Sequence, residues 1–261
     1  MNDIGYAHGV IKRLLAAIVI LTLGGCSWFS WLPWVDDDTA EDATEPAKLQ
    51  PFDAEVDVSV QWKRQVGDGL GKKYIRLMPG VVADRIIAAD GYGLLVAYDR
   101  FTGQPVWQQQ FDAVEHSGFS IAGLLDRRDP AFVSGGVGIG AGMVLVGTTH
   151  GEVIALDVAD GSERWRSRVG TEVGAAPTAG AGKVFVQTID DRVSALDADS
   201  GDLVWTYDSQ MPLLTLRGTS APVFDQGVLY TGFANGKVVA LRGQNGEPIW
   251  EQRVMLPEGR S

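Results

Sequence analysis

A motif that recurs four times restricts this chain more than any other feature. In the first copy Ile86-Ile87-Ala88-Ala89 leads through Gly91-Tyr92-Gly93 to Leu94-Leu95-Val96-Ala97-Tyr98-Asp99, then to Thr102-Gly103 and Val106-Trp107. The later copies run from Val144 to Trp165, Val184 to Trp205 and Val228 to Trp250. In each, a glycine (Gly103, Gly161, Gly201, Gly246) precedes its tryptophan by four residues, and Asp99, Asp157, Asp197 or Arg242 precedes it by eight. A fixed period of roughly 20 to 50 residues marks an architecture whose units bury their faces on one another.

Each copy holds three β-rich runs, parted by a hairpin signal such as Asn235-Gly236 and a looser turn such as Asp160-Gly161. A fourth run precedes them: Val81-Val82, Val137-Gly138-Ile139, Ala176-Pro177-Thr178 and Ala221-Pro222-Val223. Four strands every ~40 to 45 residues is the arithmetic of a β-propeller blade. The sequence therefore predicts an all-β chain whose body, 58–261, supplies about four four-stranded blades, near 81–111, 137–169, 176–208 and 221–254. Trp62, Trp107, Trp165, Trp205 and Trp250 are the structural residues expected to fill the gaps between neighbouring blades.

The repeated aspartates invite a metal reading, but their place after a strand and before a loop fits a turn capped by its own side chain. Arg242 in the fourth slot agrees, because an arginine cannot ligate a cation. Two departures stand out. Trp107 to Trp165 is 58 residues where the next spacings are 40 and 45, and the excess lies at 112–136, a loop that carries either function or padding. The second is the apolar run Met211-Pro212-Leu213-Leu214-Thr215-Leu216-Arg217-Gly218 between two blades. From the residues alone, its leucines fit buried packing at least as well as an exposed contact.

Residues 58–66, with Trp62, match a blade's outer strand but have no inner strands before them. The chain ends soon after another outer strand, so the sequence predicts the front part of a longer ring, with roughly three to four more blades downstream.

Composition closes other doors. A formal charge of −11 argues against a nucleic-acid partner, which requires clustered Lys and Arg. A single cysteine makes neither an internal disulfide nor a Cys-based zinc site. That cysteine, Cys26, follows Lys12-Arg13, a ten-residue apolar run and Leu23-Gly24-Gly25, the pattern of a secretory signal. Residues 1–25 are expected to be removed and Cys26 to carry the lipid, as in the bacterial lipobox that Leu23-Gly24-Gly25-Cys26 resembles. The resemblance to enterobacterial lipoproteins implies that Ser27, rather than an aspartate, favours the outer membrane. Residues 36–57 carry nine acids and one base, so 26–57 reads as a solvated tether. The tryptophans at 28, 31 and 34 suit either the headgroup level or the tether itself.

Lipobox, acidic tether and tryptophan-docking blades together resemble the BamB family, lipoproteins of the outer-membrane β-barrel assembly machinery. The specific part is Met211 to Pro222, which is similar to that family's segment before a Ser-Ala-Pro strand. The resemblance implies an eight-bladed ring, no enzymatic activity, no cofactor, and docking on the POTRA domains of BamA at the periplasmic face of the outer membrane. It places partner contacts on Leu214, Leu216 and Arg217, with nascent outer-membrane proteins as further partners. Two alternatives stand beside it. One is a dehydrogenase using pyrroloquinoline quinone, a class that commonly needs paired cysteines and a carboxylate set for calcium. The other is a lipid-anchored scaffold for different envelope partners, which fits every motif except Met211 to Pro222.

Overall fold

A computed structural model describes residues 56–70, 75–111, 133–209 and 219–254. The chain divides into units Met1–Val58 and Ser59–Ser261, and the architecture below is that of the second. Residues 1–55, with Cys26 and the tether, lie outside the described residues, as do 112–132 of the insertion and 210–218.

The described secondary structure is sixteen strands in four sheets, each a four-stranded antiparallel meander. The first sheet is β1 (Gly80–Val82), β2 (Arg85–Ala89), β3 (Leu94–Asp99) and β4 (Pro105–Gln110). The second is β5 (Val133–Gly140), β6 (Met143–Thr148), β7 (Glu152–Asp157) and β8 (Glu163–Arg168). The third is β9 (Thr178–Gly180), β10 (Lys183–Gln187), β11 (Arg192–Asp197) and β12 (Leu203–Asp208). The fourth is β13 (Val223–Asp225), β14 (Val228–Gly232), β15 (Lys237–Arg242) and β16 (Pro248–Arg253). The innermost strands β1, β5, β9 and β13 are neighbours in turn, so the sheets stand like blades around an axis.

The core lies between sheets. Ile87, Leu95 and Trp107 of the first sheet share one apolar cluster with Val144, Val146 and Leu156 of the second. A second cluster joins the second and third sheets through Leu145, Trp165, Val184 and Leu196. Phe185, Val193, Leu229 and Leu241 join the third to the fourth. A sheet covered on both faces needs continuous apolar strands rather than alternating ones, and β6, Met-Val-Leu-Val-Gly-Thr, is buried at all six positions. Outer strands β4, β8 and β12 mix inward and outward positions instead: in β8 Trp165 points inward while Glu163, Arg164 and Arg166 face water.

Two local details differ from the sequence expectation. Inner strands β9 and β13 begin at Thr178 and Val223, just beyond Pro177 and Pro222. Proline has no N–H to give a ladder, so each marks a strand's flank. Strand β5 begins at Val133, so Gly135 and Gly136 belong to the second blade rather than to an insertion reaching 136. Its register shifts twice at these glycines, which is how a bulged inner strand absorbs extra residues. The run 58–66 forms no ladder among the described residues.

Candidate partner-binding surface

The seams between blades follow one rule. The indole Nε1 of Trp62 donates to Arg100 O (2.8 Å), Trp107 to Val158 O (3.1 Å), Trp165 to Ala198 O (2.8 Å) and Trp205 to Gly243 O (3.1 Å). Each acceptor is the residue after the slot occupied by Asp99, Asp157, Asp197 or Arg242 on the next blade. Each ring lies on the turn glycine of that blade. A Cβ on Gly103, Gly161, Gly201 or Gly246 would come within 2.6–2.7 Å of an indole carbon. These glycines also sit at φ of +66° to +77°, where L side chains are strained. The four-residue glycine-to-tryptophan spacing thus gives every blade one docking glycine and one docking ring. Trp107 and Trp165 are 9% and 7% exposed, whereas Trp250, with no further blade among the described residues, is 44% exposed.

The slot aspartates cap their own turns. Asp99 Oδ1 accepts from the amides of Phe101 and Thr102, Asp157 Oδ1 from Ala159 N, and Asp197 Oδ1 from Asp199 N and Ser200 N. Hydrogen bonds from Thr102 hold Asp99 below the usual carboxylate range, and those from the Ser200 and Asp199 amides do the same for Asp197. For Asp157 the leading cause is the hydrogen bond from Arg164. Carboxylates committed to turn amides are poor metal ligands, and no group of three or more His, Cys, Asp or Glu is assembled for a metal among the described residues.

Leu214, Leu216 and Arg217 fall outside the described residues. Both ends of their segment are described, and both are tied to the seam between the third and fourth blades. On the leading side, Ser209 N donates to Asp191 O, and Asn235 Nδ2 donates to Ser209 Oγ at 3.0 Å. On the trailing side, Ser220 Oγ donates to Gly232 O (2.9 Å) and accepts from Gly232 N (3.0 Å). Beneath Ser220 lies Gln187, 1% exposed, whose Nε2 donates to Gly232 O at 2.9 Å while its Oε1 accepts from Thr231 Oγ1 at 2.6 Å. Asp191, also 1% exposed, accepts from Ala234 N of the fourth blade, and burial pushes its carboxyl above the usual range. The connection from β12 to β13 therefore leaves and re-enters the body beside the inner hairpins, on a base crossed by polar bonds between blades.

This polar base went unnoticed in the sequence. Gln187 ends β10 in register with positions held by Ala89, Gly147 and Gly232 in the other blades. A glutamine where the repeat otherwise places alanine or glycine was the available signal.

A family model described as Outer membrane protein assembly factor BamB matches residues 52–119 and 114–261. The chain belongs to the BamB family. A BamB of Xanthomonas campestris pv. campestris is 40% identical over 255 residues, 96% of this chain and 60% of the relative. One of Pseudomonas aeruginosa is 42% identical over 256 residues, covering 98% of this chain and 59% of that one. The chain thus spans about 60% of the length of the curated BamB relatives it matches. The crystal structure of BamB from Moraxella catarrhalis superposes with a TM-score of 0.60 at 30% identity, over 70% of this chain and 50% of that one. The quinohemoprotein alcohol dehydrogenase of Comamonas testosteroni gives a TM-score of 0.50 at 20% identity, over 69% of this chain and 35% of that one, a likeness of fold alone. The four blades of the BamB-family chain accord with the propeller read from its repeat.

Proposed function

We propose that this chain is a non-enzymatic scaffold of outer-membrane β-barrel assembly. In this reading Cys26, freed by cleavage after residue 25, carries the lipid, and 26–57 is the tether that holds the propeller at the periplasmic face of the outer membrane. Leu214, Leu216 and Arg217 dock on the POTRA domains of BamA. The observation that carries the reading is family membership over both matched stretches, 52–119 and 114–261.

Physical chemistry supports the contact assignment. Two apolar side chains beside one planar, multi-donor guanidinium make a compact hot spot of the kind that dominates interfaces. The segment's ends are fixed to the blade seam through Ser209 and Ser220, so less freedom is lost on binding than for a segment without such ties. The non-enzymatic part is supported by the curated relatives, which are described as assembly factors.

Replacing Leu214, Leu216 and Arg217 with alanine in the full chain tests the assignment. Co-purification with BamA is expected to be lost while the circular dichroism spectrum and melting curve stay those of the parent. Retained co-purification overturns the site.

A further inference from the structure

At the seams between the first and second and between the third and fourth blades, the first residue of one blade's second strand lies beside the slot turn of the next. Those first residues are Arg85, Met143, Lys183 and Val228, in register with Asp99, Asp157, Asp197 and Arg242 of their own blades. At the seam between the first and second blades, Arg85 reaches across to donate to Val158 O at 2.6 Å and also to Ala159 O. Its charge adds to that of Arg164 in favouring ionised Asp157. A cation of one blade there meets an anion of the next.

The seam between the third and fourth blades breaks this pairing. The corresponding residues are Lys183 and Arg242, and both line a cavity of about 490 Å³. Phe224, Val228 and Ile249 form its apolar wall, and Gly243 and Gln244 bring turn backbone to it. No acid stands among the residues that line the cleft with these two cations. Each has an acid on its own blade: Asp197 opposite Lys183, and Glu247, 3.8 Å from Arg242 with both side chains mostly exposed. Neither acid lines the cavity.

The slot turn carries a second observation. In the first three blades the slot aspartate accepts the turn amides two or three residues on. Arg242 has no lone pair to offer, so the amides of Gln244 and Asn245 lack the carboxylate that serves those positions elsewhere. An exchange of aspartate for arginine removes one anion from the turn and adds one cation beside a lysine.

We propose that this seam is an oxyanion site, in which Lys183, Arg242 and the turn amide of Gln244 hold one phosphate-like group. The group replaces the missing slot carboxylate and supplies the anion that the cleft's own lining lacks. A cluster of cationic side chains and backbone N–H donors is the usual chemistry of phosphate recognition. The site lies outside the segment assigned to BamA and stands independently of that assignment.

The test titrates ¹⁵N-labelled full chain with inorganic phosphate at constant ionic strength, with chloride as the control. A saturable shift of the Gln244 amide is expected with phosphate and not with chloride. Arg242→Asp gives the fourth blade the residue of the other three, so the fold should be kept while binding weakens at least about tenfold, the effect of losing one charge-assisted hydrogen bond. Lys183→Gln should weaken it similarly, and it decides the matter if Arg242→Asp does not fold. Phosphatidylglycerol vesicles identify the source of the group: vesicle binding that phosphate competes away and Lys183→Gln weakens assigns a lipid headgroup, whereas phosphate binding without vesicle binding assigns the free anion. Shifts that chloride reproduces, or an affinity unchanged in both variants, overturn the proposal.

Discussion

Two glycines of one blade separate the docking rule from ordinary backbone strain. Gly182 and Gly201 both sit in the left-handed region, at φ of +70° and +77°. Alanine at either position meets the same backbone cost, about 1–2 kcal/mol. Their surroundings differ. A Cβ on Gly182 meets nothing within 4 Å, whereas one on Gly201 would lie 2.7 Å from Trp165 Cε3 and 2.5 Å from Ser167 Oγ. To admit it, Trp165 must leave a site where it is 7% exposed and donates to Ala198 O. Overpacking of this kind adds about 1–3 kcal/mol. Gly201→Ala should therefore destabilise by about 2–5 kcal/mol and Gly182→Ala by about 1–2 kcal/mol, the excess being the seam. Urea unfolding followed by far-ultraviolet circular dichroism gives both values on one scale. Equal losses in the two variants would refute the claim that the turn glycine serves the neighbouring blade's tryptophan.

Other predictions follow from the same seams. Trp165→Phe removes the indole donor to Ala198 O and should cost about 1–2 kcal/mol, while Trp250→Phe, at the exposed outer strand, should cost under about 0.5 kcal/mol; comparison of urea midpoints checks the order. Gln187→Ala strands Thr231 Oγ1 beneath the seam, while Gly232 O keeps the Ser220 hydroxyl, and should destabilise by about 1–3 kcal/mol, read by the same assay. Asp157 has a folded pKa below its ordinary 3.8, chiefly through Arg164, so its stabilisation is complete above that value and fades as pH falls through the folded one. Asp157→Asn should therefore lower the melting temperature at pH 7 and narrow its gap from the parent as pH drops below 3.8. Asp191 has the opposite sign: burial raises its folded pKa, so its contribution is most favourable below 3.8 and declines as pH rises through the folded value. Asp191→Asn keeps an acceptor for Ala234 N and should not fall behind the parent at pH 7 in a melting curve.

Most of the architecture was legible because the repeat constrains it at several levels together. Strand runs, hairpin turns, slot aspartates and tryptophans recur in fixed register, and one local choice agrees with the next. The capped turns at Asp99, Asp157 and Asp197 were readable because an aspartate's reach to amides two and three residues on is a local matter. Strand ends were less legible. Pro177 and Pro222 look like members of a β-rich run, yet a missing N–H excludes them from the ladder. Val133 to Gly136 look like loop because glycine favours turns, but two bulges take them into β5. The polar links across seams were not legible. Gln187 with Thr231, Asp191 with Ala234, and Arg85 with Val158 all join residues more than 40 positions apart, and nothing local in the sequence pairs them. Lys183 and Arg242 meet across a seam for the same reason, and only the register of the two blades brings them to one cavity.

The central claim, that this BamB-family chain is a scaffold docking on BamA through the 211–218 segment, is tested most directly by site-specific photocrosslinking in the bacterial envelope. A photoreactive residue at Leu216 should give an adduct with BamA. One at Leu203, 61% exposed on the outer strand of the third blade, should give none. No BamA adduct from position 216, or adducts of equal yield from both positions, would contradict the account.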